Sequence, residues 1–192
     1  MGPDQLEEKG PLNVRVFFGL PVPESHREEL SRYIATCLAV APEFRWTPST
    51  NLHLTVRFVG SVERSLVEGI ANRLAEDPSP AFQAELGEAG TFKRGRLVRV
   101  VWIGLRAGAD AARLLSAAVE TECIRAGLVP EARPLQPHLT LARARHRDGS
   151  ALPALPDPPQ LEAWLADELV LYSSHLGRSG AVYEPLRRLR LR

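Results

Sequence analysis

The 192-residue chain predicts an α+β protein of two pseudo-symmetric lobes, antiparallel-rich sheets with outer helices, around a central cleft. Three observations carry this. The tripeptide His-Leu-Thr occurs twice, at His53-Leu54-Thr55 and His138-Leu139-Thr140, 85 residues apart. Val16-Phe17-Phe18-Gly19-Leu20 returns as Val101-Trp102-Ile103-Gly104-Leu105 at the same shift. Between pentad and tripeptide, each copy carries a segment of helical periodicity. Two landmarks sharing one spacing argue for an internal duplication, over about 14–60 and 98–145.

Taken in order, residues 1–11 (MGPDQLEEKGP) are polar and aperiodic and read as a disordered extension; 12–192 then form a single bilobal domain. Leu12–Leu20 is apolar and rich in branched and aromatic residues, a strand broken by Pro21 and Pro23. Leu30, Ile34, Cys37 and Leu38 recur at helical spacing within Glu24–Val40. Pro42 and Pro48 bracket a connection holding Trp46. Asn51–Val59 alternates like a strand and stops at Gly60. A second helix spans about Val62–Ala75, ended by Asp77-Pro78-Ser79-Pro80. Phe82–Leu86 reads as a short strand and Leu97–Leu105 as a strong one. Gly108 precedes a helix over about Ala109–Ala126, which Gly127 ends. Pro137–Ala144 is the next strand, 149–160 (GSALPALPDPPQ) a surface loop, and Glu168–Ser174 and Val182–Leu191 the last two strands.

Composition bounds the function. The chain is 44% hydrophobic and 24% charged with net charge +1, so it lacks the cationic field of a tight, sequence-independent nucleic-acid binder. Its cations are nearly all arginine, Lys9 and Lys93 being the only lysines, which supplies guanidinium groups suited to phosphate. Cys37 and Cys123 fall inside helices and read as buried, reduced thiols. No signal peptide or apolar membrane run is present, and Leu6 stands where myristoylation needs Ser or Thr, so a cytoplasmic protein with no membrane partner is expected. His26 and His146 read as surface residues, and His175 is ambiguous.

On a strand, residues i and i+2 share a face, so His53 groups with Thr55, and His138 with Thr140. A lone histidine on a half-buried strand is usually structural. Two at equivalent repeat positions, each with threonine on the same face, point to a site. An imidazole titrates near ~6.5, so one of a pair can be neutral while its partner is protonated. The neutral ring takes a proton from attacking water, and the charged ring gives one to a leaving sugar oxygen. The threonine hydroxyls can donate to phosphate oxygens. A bell-shaped pH dependence with limbs between roughly pH 5 and 8 is expected. Neither motif has the carboxylates that metal ligation would favour, so no metal and no cofactor are expected. Strict alternation also puts Arg57 on the face of His53 and Thr55, a candidate phosphate contact. A Lys-x-Asp-Gly motif and a phosphate-binding loop are both missing, which argues against ATP-dependent ligation.

NLHLTVRFVG (51–60), PHLTLAR (137–143) and the early strand VRVFFGLPVP resemble the 2H phosphoesterase superfamily. LYSSHLGRSGAVYEPL (171–186) is similar to its RNA 2',3'-cyclic phosphodiesterase branch, often labelled 2'-5' RNA ligases. The resemblance covers about 12–190. It implies a bilobal fold, metal-independent opening of RNA or nucleoside 2',3'-cyclic phosphates to the 2'-phosphate, and weak reverse ligation by a monomer. Its motif histidines fall on His53 and His138, its threonines on Thr55 and Thr140, and a phosphate-contacting arginine on Arg143. Alternation sends Arg143 away from His138, so a cleft-facing Arg143 requires a bulge or the strand's end. The same offset in the first copy lands on Phe58, which could stack on a base. With Arg143 beside it, His138 is expected to be the base and His53 the acid. Other superfamily substrates, ADP-ribose cyclic phosphate and 2'-5' oligoadenylate, stay open, as does a non-catalytic RNA-end binder.

Overall fold

The computed structural model describes residues 13–177 and 180–192, so the expectation for residues 1–11 lies outside the described residues. The strands are β1 (Asn13–Pro21), β2 (Phe44–Trp46), β3 (His53–Glu63), β4 (Phe82–Arg94), β5 (Leu97–Ala107), β6 (His138–Ala144), β7 (Trp164–Ala166), β8 (Glu168–Gly177) and β9 (Gly180–Arg190). The helices are α1 (Glu24–Val40), α2 (Arg64–Glu76) and α3 (Ala109–Arg125). The two copies superimpose in sequence as well as in kind: α1 and α3 begin and end 85 residues apart, as do the first residues of β3 and β6. Loop 151–163 has no regular structure, as its prolines require.

All strands pair antiparallel, in the order β7-β4-β5-β6-β3-β1-β8-β9, with β2 added to β6. At the centre, β3 and β6 meet through a single pair, Leu54↔Leu139, and then diverge. Beyond that point β3 follows β1, while β6 follows β5 and β2, so the sheet opens into two halves with a cleft between them. Leu54 and Leu139 are fully buried and pin the pseudo-two-fold at the mouth of the cleft.

Each half draws strands from both copies, which the repeat alone does not reveal. β4, which follows the first copy, pairs with β5 of the second, and β8, which follows the second, pairs with β1 of the first. A two-residue turn, Gly95-Arg96, enforces the first exchange. Gly95 sits at φ +59°, the positive value such a hairpin requires, and β4 and β5 must therefore lie side by side. This also makes β4 thirteen residues long, where sequence periodicity gives only Phe82–Leu86. The helices exchange too. Ser116 of α3 donates to the Val56 carbonyl of β3 at 3.0 Å, and Tyr33 of α1 donates to the Pro156 carbonyl at 2.9 Å.

Two short strands escaped the sequence reading. β2, between Pro42 and Pro48, buries Phe44 and Trp46 and leaves Arg45 outside; β7 does the same with Trp164, Ala166 and Leu165. Three residues are too few to show a period. His26 is a correction: it is only 8% exposed, and its Nε2 donates to the Glu162 carbonyl at 2.8 Å, tying α1 to the loop before β7. Cys37 and Cys123 are buried and free, as expected. No helix among the described residues is long and apolar enough to cross a membrane.

Candidate active site

The Leu54↔Leu139 pair fixes the relation between the two motifs. Continuing its antiparallel register sets His53 beside Thr140 and Thr55 beside His138, all four on the face opposite the buried leucines. Each imidazole is held by the same device. Nδ1 of His53 donates to the Asn51 carbonyl and Nδ1 of His138 to the Gln136 carbonyl, both at 2.7 Å and both from two residues upstream. A carbonyl can only accept, so Nδ1 carries the hydrogen and Nε2 is left for chemistry in both rings. His53 Nε2 lies 3.0 Å from Thr55 Oγ1, whose hydroxyl donates to the neutral ring.

The expected tension over Arg143 resolves through paired bulges. Along β3, Gly19 faces Thr55 and Phe18 faces Arg57, leaving Val56 unmatched; along β6, Trp102 faces Thr140 and Val101 faces Ala142, leaving Leu141 unmatched. Val56 and Leu141 are again 85 residues apart. Each extra residue lets two consecutive side chains turn inward, Val56-Arg57 and Leu141-Ala142. Phe58 and Arg143 then return to the histidine face. Phe58 is 42% exposed, stacks on Phe17 at 5.9 Å, and has the Arg15 guanidinium over its ring at 5.4 Å.

The same bulge moves Arg57 off the face that strict alternation assigns it. It is 7% exposed and ion-paired to Glu120 and Glu131, the latter at 2.7 Å, and it donates to the Val129 carbonyl at 2.8 Å. A phosphate would have to displace those carboxylates, so Arg57 serves as a clamp between β3, α3 and the segment leading to His138. It still lines, with Thr55, Phe58, Arg133 and His138, a cavity of about 560 Å³ at the edge of the motif face.

Aromatic rings under the histidines were missed as site residues, although the repeated pentad marks two of them. Phe17 packs on His53 at 4.6 Å, with Tyr183 edge-on at 5.3 Å and Tyr172 at 5.9 Å. Its counterpart Trp102 lies 6.0 Å from His138, with Phe92 edge-on at 5.0 Å. The second element of each floor compensates for the first. Phe17 faces Tyr172 across the strands, whereas the larger Trp102 faces Gly90. A Cβ at Gly90 would lie 2.3 Å from the indole. Gly90→Ala is therefore expected to lose about 1–3 kcal/mol by overpacking, and Trp102→Phe in that background to recover part of it. Denaturant melts of the four proteins would test this; additive losses would mean that the two positions do not share the space.

Burial among these rings disfavours the charged form of both imidazoles. His53 is pushed down to about 4, first by burial and then by the charges of His138 and Arg143. His138 is also lowered, first by burial and then by Arg143. The two rings and the guanidinium are thus close enough to feel each other's charge. Such an arrangement can take a proton at one Nε2, release one at the other, and hold an anion between Arg143 and the two threonines.

Two His-x-Thr strands that meet at one pair, each with its Nε2 left free by the same Nδ1 anchor, form the candidate site. The LigT-like phosphoesterase family model matches residues 20–102 and 103–183, two consecutive stretches of the sequence, and the chain belongs to that family. The RNA 2',3'-cyclic phosphodiesterase of Escherichia coli is 31% identical over 91% of this chain and 94% of its own length. That of Methanothermobacter thermautotrophicus is 27% identical, over 94% of this chain and the whole of its own. Among solved structures, E. coli LigT complexed with 3'-AMP matches with a TM-score of 0.81 at 28% identity, covering 94% of this chain and 99% of that one.

Proposed function

We propose that this chain hydrolyses RNA or nucleoside 2',3'-cyclic phosphates to the 2'-phosphate, without a metal, by paired histidine acid–base catalysis. One observation carries the reading: two imidazoles with identical Nδ1 anchors leave two Nε2 atoms on one face, joined by Arg143. The names of the E. coli and M. thermautotrophicus relatives support the substrate class. In the reaction a water oxygen bonds to phosphorus, its proton passes to one Nε2, the P–O3' bond breaks, and the other Nε2 protonates O3'. Thr55, Thr140 and Arg143 hold the non-bridging oxygens, and Phe58 with the adjoining cavity receives the base.

The proton assignment reverses the one expected from sequence. Burial lowers both rings first and Arg143 lowers both after it, and His53 is the ring pushed down to about 4. His53 is therefore the neutral base and His138 the acid. The same displacement with an RNA 5'-hydroxyl in place of water bonds that oxygen to phosphorus as P–O3' breaks and gives a 2'-5' phosphodiester, a weak ligation that hydrolysis of the 2'-5' link would undo. Both histidines come from one chain, so the catalytic unit is a monomer of residues 12–192.

The test is turnover of 2',3'-cyclic AMP after dialysis against EDTA, with phosphorus NMR of the product. Full activity and a 2'-phosphate are expected. Activity restored only by a divalent ion would overturn the metal-free mechanism, and a 3'-phosphate would overturn the orientation of the substrate.

A further inference from the structure

One cationic feature beside the site is unused by the chemistry above. Arg45 of β2 is the direct cross-strand partner of Arg143 on β6, and both side chains are exposed. Phe44 and Trp46 turn into the core on either side, so Arg45 shares the face of Arg143, and through the Leu141 bulge the face of His138. Like charges directly opposite each other on neighbouring strands destabilise a sheet. None of the ion pairs among the described residues uses either guanidinium. The repeat sharpens the contrast: 85 residues on from Arg45 stands Pro130, in the segment whose Glu131 pairs with Arg57. The paired arginines at the Arg143 end therefore have no counterpart at the equivalent positions of the repeat, Phe58 and Pro130.

We propose that Arg45 forms a second phosphate subsite, which binds the phosphate on the 5' side of the terminal nucleoside while Arg143 holds the cyclic phosphate. The proposal rests on the phosphodiesterase reading and narrows its substrate to ends that carry an upstream phosphate. The position suits this. Thr47 donates its backbone N–H to the Leu141 carbonyl at 2.8 Å, so the chain runs from Arg45 up the side of β6 toward His53. Three strand positions separate Arg45 from the level of His53, on the order of 10 Å along the strand. Arg143 stands at the same level as Arg45 and holds the reacting phosphate, so Arg45, one strand over, is placed for the neighbouring phosphate through its own long side chain. The planar fork of a guanidinium suits a phosphodiester oxygen pair.

Three substrates separate the possibilities: 2',3'-cyclic AMP, its 5'-phosphorylated form, and the dinucleotide ApA ending in a 2',3'-cyclic phosphate. Arg45→Ala is expected to lower kcat/KM roughly tenfold on the last two, through KM, as loss of one charge-assisted hydrogen bond requires. On 2',3'-cyclic AMP it should stay within about twofold, and Arg45→Lys should recover part of the loss. The Tm of Arg45→Ala should not fall, because a like-charge contact is relieved. An effect only on the dinucleotide would restrict the subsite to a diester and still support it. Equal losses on all three substrates, no loss on any, or a lowered Tm would overturn it. Wild-type protein inactive on all three would instead sink the phosphodiesterase reading, and this proposal with it.

Discussion

Replacing His53 or His138 by alanine is expected to lower kcat on 2',3'-cyclic AMP by about 10²–10⁴ in each case, the usual contribution of one positioned acid or base. The fold should survive both changes. Each ring lies on the cleft face, and the buried Leu54↔Leu139 contact that joins the strands is untouched. The losses should not multiply. Proton removal from water and proton delivery to O3' belong to one displacement, so the double variant should be little worse than either single one. A substrate with sulfur in place of O3' separates the roles, because a thiolate leaves without protonation. The loss in His138→Ala should shrink on that substrate, and the loss in His53→Ala should not. The opposite pattern would return the acid to His53. A single variant with near-normal kcat would remove that histidine from the mechanism.

How much of this the sequence disclosed follows from what periodicity can encode. The duplicated tripeptide named His53, Thr55, His138 and Thr140, because a strand's two-residue period is visible in the alternation around them. A bulge is invisible to that period. Strict alternation therefore placed Arg57 on the wrong face and Arg143 off the right one, and both errors trace to the single extra residues Val56 and Leu141. The strand exchange between copies hides for another reason: pairing between β1 and β8 joins residues far apart in sequence, and only Gly95 left a local sign of the β4–β5 hairpin. The proposed protonation order differs from the one expected from sequence, because sequence shows Arg143 near His138 but not the rings of Phe17, Tyr172 and Tyr183 around His53. Desolvation is a property of the assembled site.

Arg143→Met joins the rate and the protonation in one experiment. Removal of a charged donor from a developing phosphate transition state is expected to lower kcat/KM by about 10²–10³, the scale seen when one oxyanion donor is lost. The pH profile of kcat/KM reports the free enzyme. In wild-type protein both imidazoles hold their protons less tightly than a free imidazole at ~6.5, by burial first and then by neighbouring positive charge. The acid limb should therefore fall near 4, where His53 titrates, and the basic limb below ~6.5, so the bell lies on the acid side of the range of roughly pH 5–8 expected from two unperturbed histidines. Losing the Arg143 charge makes both imidazolium forms easier to hold, so both limbs should move to higher pH while the rate falls. A residue that served only to shape β6 would lower activity without moving either limb. A profile that shifted at one limb alone would place Arg143 beside a single histidine, and the pair would then not share one phosphate.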